Sequence, residues 1–350
     1  MQTVSNINLI TIDQAEKWDD IVKSFKNYDV NYLSGYAKAF QIHGDGDPIL
    51  YYYDDGSTRA INVVMKRDIA RVMSFKDKIP HNTWFDLSTP YGYGGFLVEG
   101  ANYDAVSEAF DTYCKEMGFV SEFVRFHLLN DFQSYYKGTC ETYTQNIVRS
   151  LELPIDDIFM DFEHRVRKSI KKATKAGLKI EIDPTGVRLE DFLDIYYGTM
   201  ERSNAEENFY FGREFFNTIN IMKDNYVYIH VLYKEQVIST ELVLYGSENC
   251  YSFLGGTNRD YFHLNANNFL KYEIIKWAKE KGLKRFILGG GYGADDGIFK
   301  YKKGFAPNGI YDFYIGKKIL DKDKYNELVR IRKQEEDYDE KTLFFPAYRG

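Results

Sequence analysis

Cysteine is scarce in this chain, and its three copies lie far apart in the sequence. Cys114, Cys140 and Cys250 form no C-x-x-C pair and are odd in number, so the sequence predicts neither a disulfide framework nor a cysteine-based metal site. The six histidines are scattered too, and none has a partner at the spacing of paired metal ligands. We therefore expect no bound metal ion.

Long apolar runs are missing as well. The longest stretches, such as YVYIHVLY, have the length of a strand and are too short to span a bilayer. The segment MQTVSNINLITIDQ at the start lacks the basic region and apolar core that mark a signal peptide. The sequence therefore predicts a cytoplasmic protein without a transmembrane segment, whose contact with a membrane surface would be transient.

Basic residues are in the minority, with 45 Lys and Arg against 52 Asp and Glu. The resulting net charge of -7 argues against a protein that coats nucleic acid non-specifically. The charge is uneven, however, because residues 165–179 contain only basic charges. At helical spacing this segment has an apolar stripe (Val166, Ile170, Ala173) and a separate basic stripe. The basic stripe consists of Arg165, Lys168, Lys172 and Lys175.

Two interpretations of this basic stripe remain open. It is typical of a solvated surface helix. It is equally typical of a binding face for the phosphates of RNA or of a nucleotide-linked substrate.

A pattern of strands, helix and strand occurs twice along the 350 residues, a length that suits two domains. In the first half, ILYYYD, AINVVMKRD and WFDLS precede a helix that stops at Gly118. In the second half, NYVYIHVLY, QVISTELVLYG and CYSFLGG precede a helix that stops at Gly282, and RFILGG follows. We predict an α+β protein of two related domains, residues 1–152 and 153–350 with a tail, each a mixed, mostly antiparallel sheet flanked by helices.

The segment FILGGGYGADDGIFKYKKGF, residues 286–305, combines glycines, aspartates and lysines. A P-loop is excluded because Gly297 is followed by Ile298 and not by lysine. The glycines also fit G-x-G-x-x-A on paper, but no helix of useful length can follow them, as a dinucleotide site requires. A glycine-rich turn that closes a strand is the simplest interpretation.

Three segments and the two-domain layout resemble the FemABX family. The segments are TPYGYGG (residues 89–95), RVRKSIKKATKAGL (residues 165–178) and FKYKKGF (residues 299–305). Members of that family add amino acids to peptidoglycan precursors and have two tandem GNAT-type acyltransferase domains. The chain resembles the compact members, because no long heptad run for a helical arm is present.

The resemblance implies a catalytic site. The family's essential lysine lies in an aromatic-Lys-x-Gly-Phe pattern, which matches residues 301–305 and makes Lys302 the catalytic residue, beside Tyr301 and Asp296. A lysine aimed at the oxyanion of acyl transfer stabilises the developing charge. The base that takes the proton of the amine stays open among Asp295, Asp296 and Asp86.

Further residues are expected to bind substrate. From the resemblance, we predict substrate contacts by the following side chains and backbone positions of the chain: Asp86, Tyr91, Gly92, Tyr93, Gly94, Tyr210, Phe211, Arg213, Gly290 and Gly291.

The resemblance implies transfer from aminoacyl-tRNA to an amine of a UDP-linked or lipid-linked cell-wall peptide, with no tightly bound cofactor. One alternative is an acyl-CoA-dependent N-acyltransferase acting on an amino sugar or another small amine. The pyrophosphate motif of that class begins at a helix start; here Arg259 could begin it, but Phe262 and Leu264 occupy the glycine positions. A second alternative is a binding module without catalysis.

Overall fold

The computed structural model describes residues 6–291 and 296–350 and has a mixed α/β architecture. In chain order, the strands are β1 (Ile7–Thr11), β2 (Asp47–Asp54), β3 (Arg59–Asp68), β4 (Phe85–Ser88), β5 (Leu97–Glu99), β6 (Ser121–Arg125), β7 (Thr139–Ser150), β8 (Lys179–Asp183), β9 (Tyr226–Tyr233), β10 (Gln236–Tyr245), β11 (Asn249–Thr257), β12 (Arg285–Gly289) and β13 (Ile310–Ile319).

Helices connect and cover these strands. They are α1 (Ala15–Lys23), α2 (Ser34–His43), α3 (Tyr103–Glu116), α4 (Ile155–Asp161), α5 (His164–Lys175), α6 (Leu189–Ser203), α7 (Arg213–Ile219), α8 (Ala266–Glu280), α9 (Gly297–Lys303) and α10 (Lys322–Arg332). Within the two described ranges, no helix combines the length and the apolar character that crossing a membrane requires.

The chain divides into two compact units. The first unit contains the described residues up to Phe25 together with Asn31–Tyr143 and Phe313–Gly350, and the second unit contains Lys26–Val30 and Thr144–Asp312. The division differs from the predicted one, which assigned residues 313–350 to the second domain. These residues belong to the first unit because β13 pairs antiparallel with β6 and α10 packs its apolar side chains into the first unit's core.

The sheet of the first unit runs in the order β1-β2-β3-β4-β6-β13, and the short strand β5 pairs antiparallel with the start of β3, at Arg59–Ile61. Neighbours are antiparallel except β4 and β6, which are parallel. Helix α3 covers one face, where Val106, Phe110 and Cys114 pack on Val64 and Leu87. Alternate strand residues point to this face because strand side chains have a period of two.

The sheet of the second unit runs in the order β7-β12-β11-β10-β9-β8. Here too, only one neighbouring pair is parallel, β11 and β12. The predicted apolar stripe of α5 is buried against α8 and the sheet, with Val166, Ile170 and Ala173 in one core with Phe269 and Ile274. Both units are therefore mostly antiparallel sheets flanked by helices, which confirms the predicted α+β class.

The interior of the first unit contains a group of ionisable side chains between β6 and α3. Glu122 is 2% exposed, and its carboxylate accepts a hydrogen bond of 3.1 Å from the Tyr136 hydroxyl. Nearby, Lys318 is paired with Asp111 at 2.6 Å. Burial raises the pKa of the Glu122 carboxyl to about 7, while the positive charge of Lys318 opposes that rise. The folded protein therefore favours the protonated form of Glu122.

This raised pKa makes stability depend on pH. The folded state holds the Glu122 proton more tightly than the unfolded state, so stability falls as pH rises from the unfolded pKa through about 7. We expect Glu122→Gln to stabilise the protein by on the order of 2–3 kcal/mol more near pH 8 than near pH 4. Urea unfolding at the two pH values measures the difference. An equal effect at both would show that folding does not raise the pKa of Glu122.

Candidate functional site

The segment that suggested a catalytic lysine forms the short helix α9. Asp296 precedes it as N-cap, and its carboxylate accepts a bond of 3.2 Å from the Ile298 amide. Lys302 lies in the last turn, where its Nζ donates a hydrogen bond of 2.6 Å to the carbonyl oxygen of Gly290. The lysine is half-buried. A short loop after β12 and the end of α9 are thus tied together by the ammonium group.

Lys302 lies where two parallel strands of the second unit cease to pair. Strands β11 and β12 pair only from Asn249 to Tyr251 and from Arg285 to Ile287. Beyond these residues β11 continues along β10, whereas Gly289 of β12 pairs with Ile147 of β7. Among the described residues, the two strand ends therefore have no backbone pairing with each other. Ligands of α/β sheets commonly bind at such strand ends.

Burial and the neighbouring positive charge of Lys271 together lower the pKa of Lys302 to about 8, although the charges of Glu241 and Asp296 oppose the change. At neutral pH the group is mainly a cation, although it is poorly solvated. A cation that has already lost water interacts strongly with a negative charge that forms beside it. Lys302 is therefore suited to stabilising an oxyanion.

A buried ion pair that the sequence analysis missed lies beside Lys302. Lys271 of α8 is 7% exposed and Glu241 of β10 is 5% exposed. The Lys271 Nζ donates to both carboxylate oxygens at 2.5 Å and to the Ser252 hydroxyl at 2.5 Å. The available signal was a single acidic residue inside the otherwise uncharged strand QVISTELVLY. A charge in a strand that is buried on both faces requires a partner.

Tyr301 and the two glycines after β12 help to hold α9 in place. The Tyr301 hydroxyl donates to the carbonyl of Asn267 at 3.1 Å, so it fastens α9 to the first turn of α8, and desolvation raises its pKa well above the usual range. A Cβ on Gly290 would lie 2.8 Å from the carbonyl oxygen of Gln145, and one on Gly291 would lie 3.0 Å from the Phe299 amide. Both positions need glycine. Asp295 lies outside the described residues.

Helix α9 is fixed to the basic helix α5 by close backbone contacts. The amide of Glu163 donates to the carbonyl of Gly304 at 2.9 Å. The guanidinium of Arg165 donates to the carbonyl of Lys300 at 2.6 Å and is paired with Glu163 at 2.5 Å. A Cβ on Gly304 would lie 2.8 Å from Cγ2 of Val166. Arg165 therefore helps to hold the two helices together.

The remaining residues of the basic stripe face solvent. Lys168, Lys172 and Lys175 are exposed and, with Lys171, Arg167 and His164, line a shallow groove on α5. Within residues 6–291 and 296–350, none of the four lysines takes part in an ion pair. Their charge is therefore available to an external anion.

Asp86 binds the C-terminal segment inside the first unit. Its fully buried carboxylate accepts bonds from Arg67 at 2.7 Å, from Tyr348 at 2.9 Å and from Arg349 at 2.7 and 3.1 Å. Although burial opposes it, the charges of Arg67 and Arg349 keep the pKa of Asp86 below its usual value. These donors use the acceptor capacity of the carboxylate, so the described contacts of Asp86 are structural ones within the first unit.

The predicted residues of TPYGYGG form one turn of the first unit. The Tyr36 hydroxyl donates to the carbonyl of Tyr91 at 2.6 Å, and Gly92 has a φ of 92°, which favours glycine. The ring of Tyr93 packs edge-on against Phe313 at 5.4 Å. The amide of Gly94 donates to Arg125 at 2.7 Å. Tyr91 is exposed and can contact a ligand.

The predicted residues of ENFYFGREFF have different roles. Phe211 is buried and its ring stacks on Phe215 at 4.3 Å, so it belongs to the core of the second unit. Arg213 is paired with Glu190 on the surface at 2.5 and 2.6 Å. Tyr210 is exposed. The structure thus gives Phe211 and Arg213 structural contacts and leaves Tyr210 accessible to a ligand.

The contact of Gly304 with α5 can be tested by one methyl group. Gly304→Ala places a Cβ against Val166 and against the backbone of Tyr301, so we expect a loss of about 1–3 kcal/mol of stability. Gly198→Ala in α6 is the matched control, because nothing lies within 4 Å of its Cβ and alanine favours helices. Chemical unfolding of both variants measures the effect. An equally stable Gly304→Ala variant would contradict the close packing.

Comparison with known proteins supports the predicted fold. Residues 160–303, which include α5 and Lys302, match the family described as acetyltransferase (GNAT) domain. No curated protein sequence matches the chain. The solved structure of FemX has 14% identity and a TM-score of 0.67, with 91% of this chain and 99% of FemX covered.

Two further structures have the same architecture. The C-terminal domain of a putative lysylphosphatidylglycerol synthetase from Agrobacterium fabrum has 12% identity and a TM-score of 0.55, with 89% of this chain and 93% of that one covered. L-PGS from Bacillus licheniformis has 10% identity and a TM-score of 0.55, covering 91% and 95%. The predicted resemblance is confirmed: the chain has the fold of FemX, and its second unit contains the segment that matches the GNAT acetyltransferase domain.

Proposed function

We propose that this protein is an aminoacyltransferase that moves an aminoacyl group from aminoacyl-tRNA to an amine of a UDP-linked or lipid-linked cell-wall peptide. The observation that carries the proposal is the half-buried Lys302 ammonium at the open strand ends of the second unit, within the fold of FemX. The FemABX-like motifs around Lys302 support the same assignment. No tightly bound cofactor is needed for this reaction.

The proposed reaction is a direct displacement at the aminoacyl ester. The acceptor amine attacks the ester carbonyl, and the carbonyl oxygen becomes an oxyanion that Lys302 stabilises by charge. When the intermediate collapses, the new C–N bond remains and the ester C–O bond breaks. The amine loses one proton and the ribose hydroxyl of the tRNA gains one.

Asp296, the N-cap of the helix that contains Lys302, is the carboxylate that we propose as the base for the reacting amine. Tyr301 keeps α9 in position through Asn267. Gly290 supplies the carbonyl that orients the Lys302 ammonium before the oxyanion forms. Pre-oriented charges of this kind lower the barrier without further reorganisation.

The groove of α5 is the proposed contact for tRNA. The exposed lysines Lys168, Lys171, Lys172 and Lys175 present an all-basic face on a chain whose net charge is negative. Phosphate contacts of this kind depend on released counterions and weaken as salt increases.

An acyl-CoA-dependent N-acyltransferase is the second candidate. The match of residues 160–303 to the acetyltransferase domain favours it. The turn before α8 argues against it, because Phe262 is about half exposed there and stacks with Arg202 at 5.0 Å, where a CoA pyrophosphate would need bare backbone amides. The acceptor of this alternative would be an amino sugar or another small amine.

A mass-shift assay tests the donor and Lys302 together. The protein is mixed with UDP-linked wall pentapeptide and charged total tRNA, with and without ribonuclease. We expect a product heavier by one amino-acid residue that ribonuclease abolishes, and a loss of at least about a hundredfold in turnover for Lys302→Ala. Lys300→Ala on the same helix is the control. Wild-type turnover by Lys302→Ala would refute the catalytic role, and a product from acyl-CoA instead would favour the second candidate.

The tRNA contact is tested by reversing charge on α5. We expect Lys168→Glu/Lys172→Glu to weaken tRNA binding at least about tenfold at low salt and to reduce its salt dependence. Lys76→Glu/Lys115→Glu, with two exposed lysines of the first unit, changes the net charge equally and serves as control. Filter binding over a salt series measures both. Identical affinities of the two double variants would show that the groove of α5 does not bind tRNA.

A further inference from the structure

The turn of TPYGYGG in the first unit closes around one arginine, Arg125, the last residue of β6. The backbone amide of Arg125 donates to the Thr89 hydroxyl at 3.0 Å, and its carbonyl oxygen accepts from the Gly94 amide at 2.7 Å. A Cβ on Gly94 would lie 2.8 Å from Cγ2 of Thr89, so the closure needs glycine. Both ends of the turn therefore contact Arg125.

The guanidinium of Arg125 has no carboxylate partner within residues 6–291 and 296–350. Its Nη1 lies 3.5 Å from the Thr89 carbonyl oxygen, and its Cζ lies 4.9 Å from the centroid of the Phe123 ring. The side chain is half-buried. Burial lowers the pKa of Arg125, and the charge of Arg67 acts in the same direction. A guanidinium carries several N–H donors, and the structure describes an acceptor for one of them.

A second arginine with an unused donor lies on the same face of the sheet. The Tyr348 hydroxyl bonds to both Ser121 and Asp86, so these two side chains share a face. Arg125 shares it too, because it follows Ser121 by an even number of residues in β6. Arg67 bonds to Asp86 through Nε at 2.7 Å, but its buried Nη2 has no partner in the described part of the chain. Buried donors without acceptors are rare, so this face has unused capacity for an anion.

Stability alone does not explain the arrangement of Arg125. A poorly solvated charge without a partner costs folding free energy, and a neighbouring carboxylate would remove that cost. Arg59 of the same unit has such a partner, because it lies over the Phe25 ring at 4.5 Å and donates to Glu99 at 2.8 Å. Groups that cost stability are typical of positions that bind a ligand.

We propose that Arg125 binds an anionic group of the acceptor, namely a carboxylate of the wall peptide or a phosphate of its linked carrier. Both groups present pairs of negative oxygens that match the planar fork of a guanidinium. Phe123 and Thr89 hold this fork in one orientation. Tyr91 in the same turn is 42% exposed, so the turn is open to solvent. The assignment of the anion to the acceptor rests on the proposed function.

Replacing the guanidinium by an apolar side chain tests the proposal. We expect Arg125→Met to weaken binding of UDP-linked wall pentapeptide at least about tenfold. Its melting temperature without ligand should equal or exceed that of wild type, because a charge without a partner is removed. Arg59→Met is the matched control and should bind as wild type does. Titration calorimetry and thermal unfolding measure both quantities.

A merely structural Arg125 predicts the opposite pair of results. In that case Arg125→Met melts at a lower temperature and binds the acceptor with wild-type affinity, which overturns the proposal. If Arg125→Met does not fold, Arg125→Lys decides. Lysine keeps the charge and lacks the planar fork, so we expect at least about threefold weaker binding, and wild-type affinity overturns the proposal.

Two fragments of the acceptor identify the anionic group. UDP alone supplies phosphates, whereas the unlinked wall pentapeptide supplies carboxylates. A loss of affinity for UDP in Arg125→Met assigns the phosphate, and a loss of affinity for the peptide assigns the carboxylate. Unchanged affinity for both fragments in the folded variant overturns the proposal.

Failure of the proposed function gives a different result, because wild type then binds neither the acceptor nor its fragments. The anion site is still tested with inorganic phosphate and with acetate at constant ionic strength. We expect either anion to raise the melting temperature of wild type and Arg59→Met equally, and that of Arg125→Met by less. Equal shifts in all three proteins overturn the anion site, even when aminoacyl product is formed.

Discussion

The end of pairing between β11 and β12 is the constraint on which the rest of the second unit depends. Parallel neighbours that stop pairing at Tyr251 and Ile287 leave backbone groups that a continuous sheet would use. Glycines and the short helix α9 follow β12. The Lys302 ammonium at the end of α9 donates a hydrogen bond to the Gly290 carbonyl. The bond of Lys302 thus lies directly after the place where the pairing of β11 with β12 ends.

The first unit has a related architecture in which the turn of TPYGYGG closes the corresponding region. Its parallel strands β4 and β6 also pair briefly. The chain then returns to β6, where Gly94 donates to Arg125 at 2.7 Å and accepts from His127 at 2.9 Å. Backbone bonds therefore occupy the place that remains open in the second unit. This difference supports the proposal that the chemistry takes place in the second unit.

Buried charge has a different purpose in each unit. The carboxylate of Asp86 accepts hydrogen bonds from Arg67, Tyr348 and Arg349 and so holds the C-terminal segment in place. In the described part of the chain, Glu122 has no cation directly bonded to it, and burial raises its pKa to about 7. In the second unit, both carboxylate oxygens of Glu241 accept hydrogen bonds from Lys271. Because unpaired charge is costly in the interior, each carboxylate requires a specific partner or a proton.

The sequence by itself determined the local elements and part of the site. The periodic segments predicted β2, β3, α3, α5, β10 and α8 to within a few residues, because side-chain periodicity is a local property. The predicted stops Gly118 and Gly282 have φ values of 66° and 84°, as helix-ending glycines do. The motif around Lys302 was also visible in the sequence.

Tertiary structure alone decided three features: the assignment of residues 313–350 to the first unit, the hydrogen bonds that saturate Asp86, and the pair of Lys271 with Glu241. These features join residues far apart in the chain, and no local pattern specifies which distant partner a buried charge will meet.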